Sequence, residues 1–93
     1  MNIQQAIEAI IFAVTPGLMF DSHYVIDTLI KEHSDDYLAF AAQRLPAGQI
    51  TSYLHSEIAK IIGRTGFATQ AGVQSLSYTI HGTASPCALW QRV

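Results

Sequence analysis

The sequence predicts an α+β fold in which three to four helices are followed by a C-terminal β-hairpin. Apolar residues recur at helical spacing over the first two thirds of the chain, and breaks that contain glycine or proline interrupt the pattern. Near the C-terminus, residues 75–80 alternate between apolar and hydroxyl side chains, which is the period of a strand. The length of 93 residues, 49% of them hydrophobic, predicts a single globular domain over 1–93.

The first helix is predicted over 2–14. Asn2 can cap its start, and Gln5 stands three residues later, where it can complete a capping box. Pro16 and Gly17 stop the helix. Its apolar stripe repeats at helical spacing and consists of Ile3, Ile7, Ile10 and Val14, widened by Ala6 and Ile11.

Residues 20–43 predict two helices joined by a tight polar turn, which is the outline of a helix-turn-helix. Asp21 can cap the first of these helices, and Phe20 and Val25 have the spacing of a hydrophobic staple around it. The predicted buried face of this helix carries Val25, Ile26, Leu29 and Ile30, and the predicted solvent face carries Asp27, Lys31 and Glu32.

The third helix is predicted to begin at Ser34, after His33 breaks the period. Ser34 can act as the cap, and Asp35 and Asp36 then fall in the first turn, where the helix dipole favours negative charge. The break from Pro46 to Gly48 ends the helix. Its predicted apolar stripe consists of Tyr37, Leu38, Ala41, Ala42 and Leu45.

A fourth helix is predicted to start at Thr51 or Ser52 and to end near Gly63. Its buried stripe consists of Leu54, Ile58, Ile61 and Ile62, and the residues that face away are His55, Ser56 and Lys60. The following stretch, 63–72, holds three glycines and has no clear period, so we predict mostly loop. A helix that begins near Thr69 and runs through Gln74 is the alternative.

The C-terminal hairpin is predicted from the alternation that follows. Leu76, Tyr78 and Ile80 alternate with Ser75, Ser77 and Thr79, which gives a half-buried strand one apolar face and one hydroxyl face. Residues 81–86 supply a turn, and 87–93 return as the second strand. Trp90 is expected to close the core against the helices, with its indole N–H bonded to one acceptor.

The residues with reactive side chains predict neither an enzyme nor a cofactor or metal site. The four histidines show no i,i+4 pair and no zinc pattern, so we expect ordinary surface or supporting roles for them. Cys87 is the only cysteine and is expected to be a small buried residue at the start of a strand. A hydrolase or transferase that pairs Cys87 or Ser77 with His81 is the lowest-ranked hypothesis, since it requires hydrogen-bond contact in a concave site.

The order of the predicted elements resembles that of the winged helix-turn-helix family. The resemblance implies a recognition helix at 34–44, a wing tip at 82–86 and DNA binding. It implies nucleic-acid contact at Gln43, Arg44, Lys60 and Arg64. The family's recognition helix is polar and basic, whereas Asp35 and Asp36 stand here and the chain has a formal charge of −2.

The closing stretch SYTIHGTASPCALW, residues 77–90, also resembles the ends of short uncharacterised bacterial or mobile-element proteins, which implies no activity. Charged residues make up only 13% of the chain, so apolar surface is expected to remain outside. The leading hypothesis is therefore a non-enzymatic, cytoplasmic interaction domain that acts through protein contacts or self-association, with no membrane partner. The alternative is a winged-helix transcriptional regulator that binds DNA.

Overall fold

A computed structural model describes residues 1–43, 50–79 and 82–93, which form four helices and a three-stranded antiparallel sheet. In chain order the elements are α1 (Ile3–Phe12), β1 (Met19–Asp21), α2 (Ser22–Glu32), α3 (Ser34–Ala42), α4 (Ile50–Arg64), β2 (Ala68–Tyr78) and β3 (Ala84–Arg92). The predicted α+β class, with helices followed by a terminal hairpin, is confirmed. Strand β1, between the first two helices, is an element that the sequence analysis missed.

The sheet has the strand order β1-β3-β2, so the last strand of the chain lies in the middle. Phe20 of β1 pairs with Trp90 of β3, and Ser75 of β2 pairs with Cys87 of β3. Strand β1 has only three residues and no alternation long enough to detect. It exists because β3, some seventy residues later in the chain, supplies its hydrogen-bonding partner.

The hydrophobic core lies between α1, α2 and α4 and is closed by aromatic residues of the sheet. The predicted stripes of these three helices are largely confirmed, because their members include the most deeply buried side chains: Ile7, Ile11, Val25, Leu29, Leu54, Ile58 and Ile62. Trp90 is 5% exposed and packs close to Gly63, where an added Cβ would lie 3.2 Å from the indole ring. The prediction that Trp90 closes the core is confirmed.

Two of the predicted helix starts are confirmed atom by atom. Asn2 accepts a hydrogen bond from the backbone N–H of Gln5 at 2.8 Å, and the Gln5 side chain accepts one from the Asn2 N–H at 3.0 Å. Asp21 accepts from the backbone N–H of Tyr24 at 2.8 Å, as an N-cap does. The first helix ends at Phe12, two residues before the predicted end.

The third helix begins at Ser34, as predicted, but the predicted cap is wrong and the predicted buried face is only partly correct. His33 is the N-cap residue, without a side-chain cap bond, and Ser34 is already the first helical residue. Tyr37 and Ala41 of the predicted stripe pack against the core, whereas Leu38 is 62% exposed and Ala42 is also exposed. Phe40, which the stripe did not include, is buried. The stripe is rotated because α3 packs against both α1 and α2, so their position selects the face around Phe40. Leu45 and the break at 46–48 lie outside the described residues.

Two predictions for the fourth helix are also corrected. The helix begins at Ile50, so Thr51 and Ser52 are helical residues and not caps. His55 does not face away from the fold: it is half-buried, and its Nε2 atom lies 3.0 Å from the Tyr37 hydroxyl of α3. Burial raises the pKa of Tyr37 above its ordinary value.

The predicted loop over 63–72 is wrong from Ala68 onward, and so is the alternative helix, because β2 begins at Ala68. A β-bulge interrupts the alternation of side chains in this strand, so the sequence shows no regular strand period there. Gln70 pairs with Trp90 and Gln74 with Ala88, so β2 advances four residues while β3 advances two. Gly72 lies in the bulge with φ +83°, a backbone conformation that glycine adopts without strain.

Candidate interaction surface

Beyond the bulge, the hairpin of β2 and β3 half-buries its hydroxyl side chains and exposes its apolar ones, which is the opposite of the usual arrangement. A half-buried strand ordinarily places its apolar side chains against the core and its hydroxyls in solvent. Here Ser75 and Ser77 are half-buried, whereas Leu76 and Tyr78 are each 73% exposed. The alternation predicted a strand correctly, and the tertiary structure reverses the face that is buried. Ile80 lies outside the described residues.

The inward serines belong to a cluster, here called the polar seam, that consists of Asp21, His23, Ser75, Ser77 and Cys87. Ser75 Oγ donates a hydrogen bond to Asp21 Oδ2 at 2.9 Å. Ser77 Oγ lies 2.7 Å from His23 Nδ1 and 3.8 Å from Cys87 Sγ. The seam therefore joins the start of α2 to the middle of the hairpin.

The electrostatics of the seam follow from its hydroxyl donors. Partial burial alone would raise the pKa of Asp21. The Tyr24 N–H, the hydroxyls of Ser77 and Ser75, and the charge of His23 outweigh burial and hold that pKa below its ordinary value.

The side-chain contacts of the polar seam differ from the nucleophile–histidine pairs that the sequence suggested. His81 lies outside the described residues, and the histidine that contacts Ser77 is His23, at a sequence separation of 54. Cys87 is half-buried and lies inside β3, not at its start. The depression that Asp21 borders, about 450 Å³, is lined by Tyr24 and the segment between α1 and α2, and neither Ser77 nor His23 lines it. Among the described residues no three His, Cys, Asp or Glu side chains form a metal-binding group.

The opposite side of the hairpin, here called the outer apolar face, consists of Leu76, Tyr78, Ala84 and Pro86. Leu76 pairs with Pro86 and Tyr78 with Ala84, and residues paired across two strands lie on the same face. All four are exposed. Val73, in the bulge just before them, is 63% exposed. No member of this face carries a charge.

Of the residues singled out for nucleic-acid contact, Gln43 and Lys60 line different depressions. Gln43 follows α3 and lines a depression beside the N-terminus, together with residues of the first helix. Lys60 lines a different depression, between α4 and the sheet. Lys60 and Arg64 are both exposed and lie one turn apart on α4. Arg44 lies outside the described residues.

Two other basic residues are held by contacts within the fold. Lys31 forms an ion pair with Asp27 at 2.9 Å on the surface of α2. Arg92 donates from Nε to the carbonyl of Ile11 at 3.2 Å, and its guanidinium lies over the ring of Phe12. Of the segment 82–86 that the resemblance assigns to a wing tip, residues 84–86 belong to strand β3.

No helix in the described ranges has the length and apolarity needed to cross a membrane. Comparison of the chain with protein-family models, curated proteins and solved structures gives no match.

Proposed function

We propose that this protein is a non-enzymatic interaction module that contacts another protein chain through its outer apolar face. The observation that carries the proposal is the reversed hairpin, in which Leu76 and Tyr78 point to solvent and the serines between and beside them point inward. Since it has a single cysteine and so no internal disulfide, we propose that it acts in the cytoplasm.

The polar seam fixes which face is exposed. A slip of one residue would turn Ser75 and Ser77 outward and leave the Asp21 carboxylate and His23 without these hydroxyl partners. Large apolar side chains left in water forgo roughly 1.5–3 kcal/mol of burial free energy each. A partner that covers Leu76 and Tyr78 would recover part of this free energy.

The amino-acid composition of the outer apolar face is also suited to contact with another protein. Its side chains are aliphatic, aromatic or proline, so covering them requires no charged group to lose its water. Tyr78 combines a large apolar ring with a hydroxyl that can bond at the rim of an interface, which is why tyrosine is frequent in such surfaces.

The experiment that tests this proposal is site-specific photo-crosslinking in the cells that make the protein. A photoreactive phenylalanine analogue replaces Tyr78 on the outer face in one variant. In the matched control it replaces Tyr24, which is 46% exposed on α2. We expect a discrete protein adduct from position 78 that position 24 does not give. Equal labelling from both positions, or no adduct from position 78, would contradict the proposal.

The alternative function, a DNA-binding regulator, is suggested by the winged-helix resemblance and by Lys60 and Arg64. These two cations are exposed one turn apart on α4, a spacing that allows contact with neighbouring phosphates. Fluorescence anisotropy with random duplex DNA at low salt separates the two functions. Under the interaction proposal we expect no binding that weakens steeply with salt. Salt-sensitive binding that K60A/R64A loses and K31A keeps would favour the regulator.

A further inference from the structure

Strand β2 is the outer strand of the sheet. One hydrogen-bonding edge of β2 pairs with β3, and no strand in the described part of the chain pairs with the other edge. Beyond the bulge, Gln74–Tyr78 forms a regular ladder of five residues that runs along the outer apolar face. Its free side is a row of backbone groups that can accept another strand.

This edge lacks the features that usually keep edge strands apart. The eleven residues of β2, ATQAGVQSLSY, include no Lys, Arg, Asp, Glu or Pro. The bulge between Gln70 and Gln74 disrupts only the part of the strand next to α4. The opposite edge of the sheet, β1, is only three residues long. The distal half of β2 is therefore the unprotected edge of this sheet.

We propose that a second copy of this chain pairs with Gln74–Tyr78 in antiparallel orientation and joins the two sheets into one of six strands. This inference rests on the proposed function, and it identifies the partner of the interaction module as a second copy of the same chain. Two copies of this chain can pair in this way, because a two-fold axis perpendicular to the sheet makes their β2 strands antiparallel. Both outer apolar faces then lie on the same side of the joined sheet.

Charge supports the same occupant. In an antiparallel two-fold pair, each residue of β2 meets a residue of the same segment, and one residue lies opposite its own copy. Like charges placed opposite each other destabilise such a pair, and β2 has none. Leu76 stands at the centre of the five-residue ladder, so a two-fold axis near the centre brings the two copies of Leu76 together. The two Leu76 side chains then contact each other across the strand pair and cover part of each other's apolar surface.

The test places one positive charge on the edge strand and, as a control, on a helix away from the sheet edge. Leu76→Lys alters an exposed leucine of β2, and Leu38→Lys alters one of α3 that is 62% exposed and lies outside the outer apolar face. The oligomeric state of each folded variant is measured by sedimentation equilibrium. We expect the wild type to dimerise, L76K to raise the dimer dissociation constant by about tenfold or more, and L38K to leave it unchanged.

Hydrogen exchange provides a second measurement that needs no variant. In the dimer, amides of Gln74–Tyr78 that point away from β3 become hydrogen-bonded, so we expect their exchange to slow as protein concentration rises. A dimer in which these amides stay unprotected would indicate docking through the face and overturn edge pairing. Equal loss of dimer in L76K and L38K would overturn it as well. A wild type that stays monomeric would overturn it too.

The two proposals fail in different ways. An adduct from position 78 with a different protein, together with a monomeric wild type, would keep the interaction module and overturn the second copy as its partner. An adduct of twice the chain mass, with protected edge amides, would support both. Absence of any specific adduct together with a monomeric wild type would overturn both.

Discussion

The indole Nε1 of Trp90 donates a hydrogen bond to Ser22 Oγ at 2.9 Å, and both residues are buried. The bond spans 68 residues of sequence and ties the central strand of the sheet to the first turn of α2. Next to Ser22 in the chain, Asp21 and His23 hold the serines of β2. The start of α2 is thus the point at which the helices and the hairpin are joined.

The Trp90 bond predicts a cost for removing the Ser22 hydroxyl. Ser22→Ala leaves the buried indole N–H without its acceptor, which should lower the free energy of unfolding by about 1–3 kcal/mol. Ser34→Ala is the control: Ser34 is exposed and is not the cap of α3, so we expect a change within about 0.5 kcal/mol. Urea unfolding followed by tryptophan fluorescence measures both. A comparable loss in the two variants would contradict the assigned roles.

The polar seam predicts how stability depends on acid. Because the pKa of Asp21 is lower in the folded state than its ordinary value of 3.8, its ionised form stabilises the fold. That contribution is fully present above pH 3.8 and is lost as the pH falls through the lowered folded value. Asp21→Asn, which still caps α2, should therefore show a smaller decrease in stability below pH 3.8 than the wild type.

A second substitution separates the charge of Asp21 from its capping role. Asp21→Ala removes the acceptor for both the Tyr24 N–H and the Ser75 hydroxyl, and should lower stability at pH 7 by about 1–2 kcal/mol. Asp21→Asn should lose less at the same pH. Thermal unfolding at several pH values measures both effects, and equal losses for the two variants at pH 7 would show that the cap contributes little.

The reversed hairpin predicts that two leucines respond differently to the same change. Leu54→Ala removes a side chain that is 1% exposed and should cost about 2–5 kcal/mol. Leu76→Ala removes one that is 73% exposed and should change stability by less than about 0.5 kcal/mol. Unfolding at a protein concentration low enough to keep the chain monomeric makes the comparison. A large loss for L76A under these conditions would place Leu76 in the core.

The burial of Tyr37 predicts a change in stability at alkaline pH. Burial raises the pKa of Tyr37 above its ordinary value of 10.0, so the folded state favours the neutral phenol. The stability tied to this group is present below pH 10.0 and is lost as the pH rises toward the raised folded value. Tyr37→Phe should remove this alkaline decrease, which chemical unfolding at several pH values between neutral and alkaline solution can detect.

Local patterns in the sequence determined most of the helical part of the fold. The stripes at Ile7, Leu29 and Ile58 repeat at 3.6 residues, and the caps at Asn2 and Asp21 depend on neighbours three residues away. Such features need no information from the rest of the chain, because the interacting groups lie within one or two turns. The α+β class followed from these helices and the alternation in 75–79.

The tertiary structure alone decided which face of the hairpin is buried. Alternation at Ser75, Leu76 and Ser77 predicts two faces, and by itself it favours burial of the apolar one. Asp21 and His23, more than fifty residues earlier in the chain, bind the two hydroxyls and reverse that choice. Strand β1 likewise exists only through its pairing with β3. Sequence by itself thus determined the elements whose partners are local, whereas contacts between distant residues decided the strand order and the exposed apolar face, because those free energies arise only once the chain has folded.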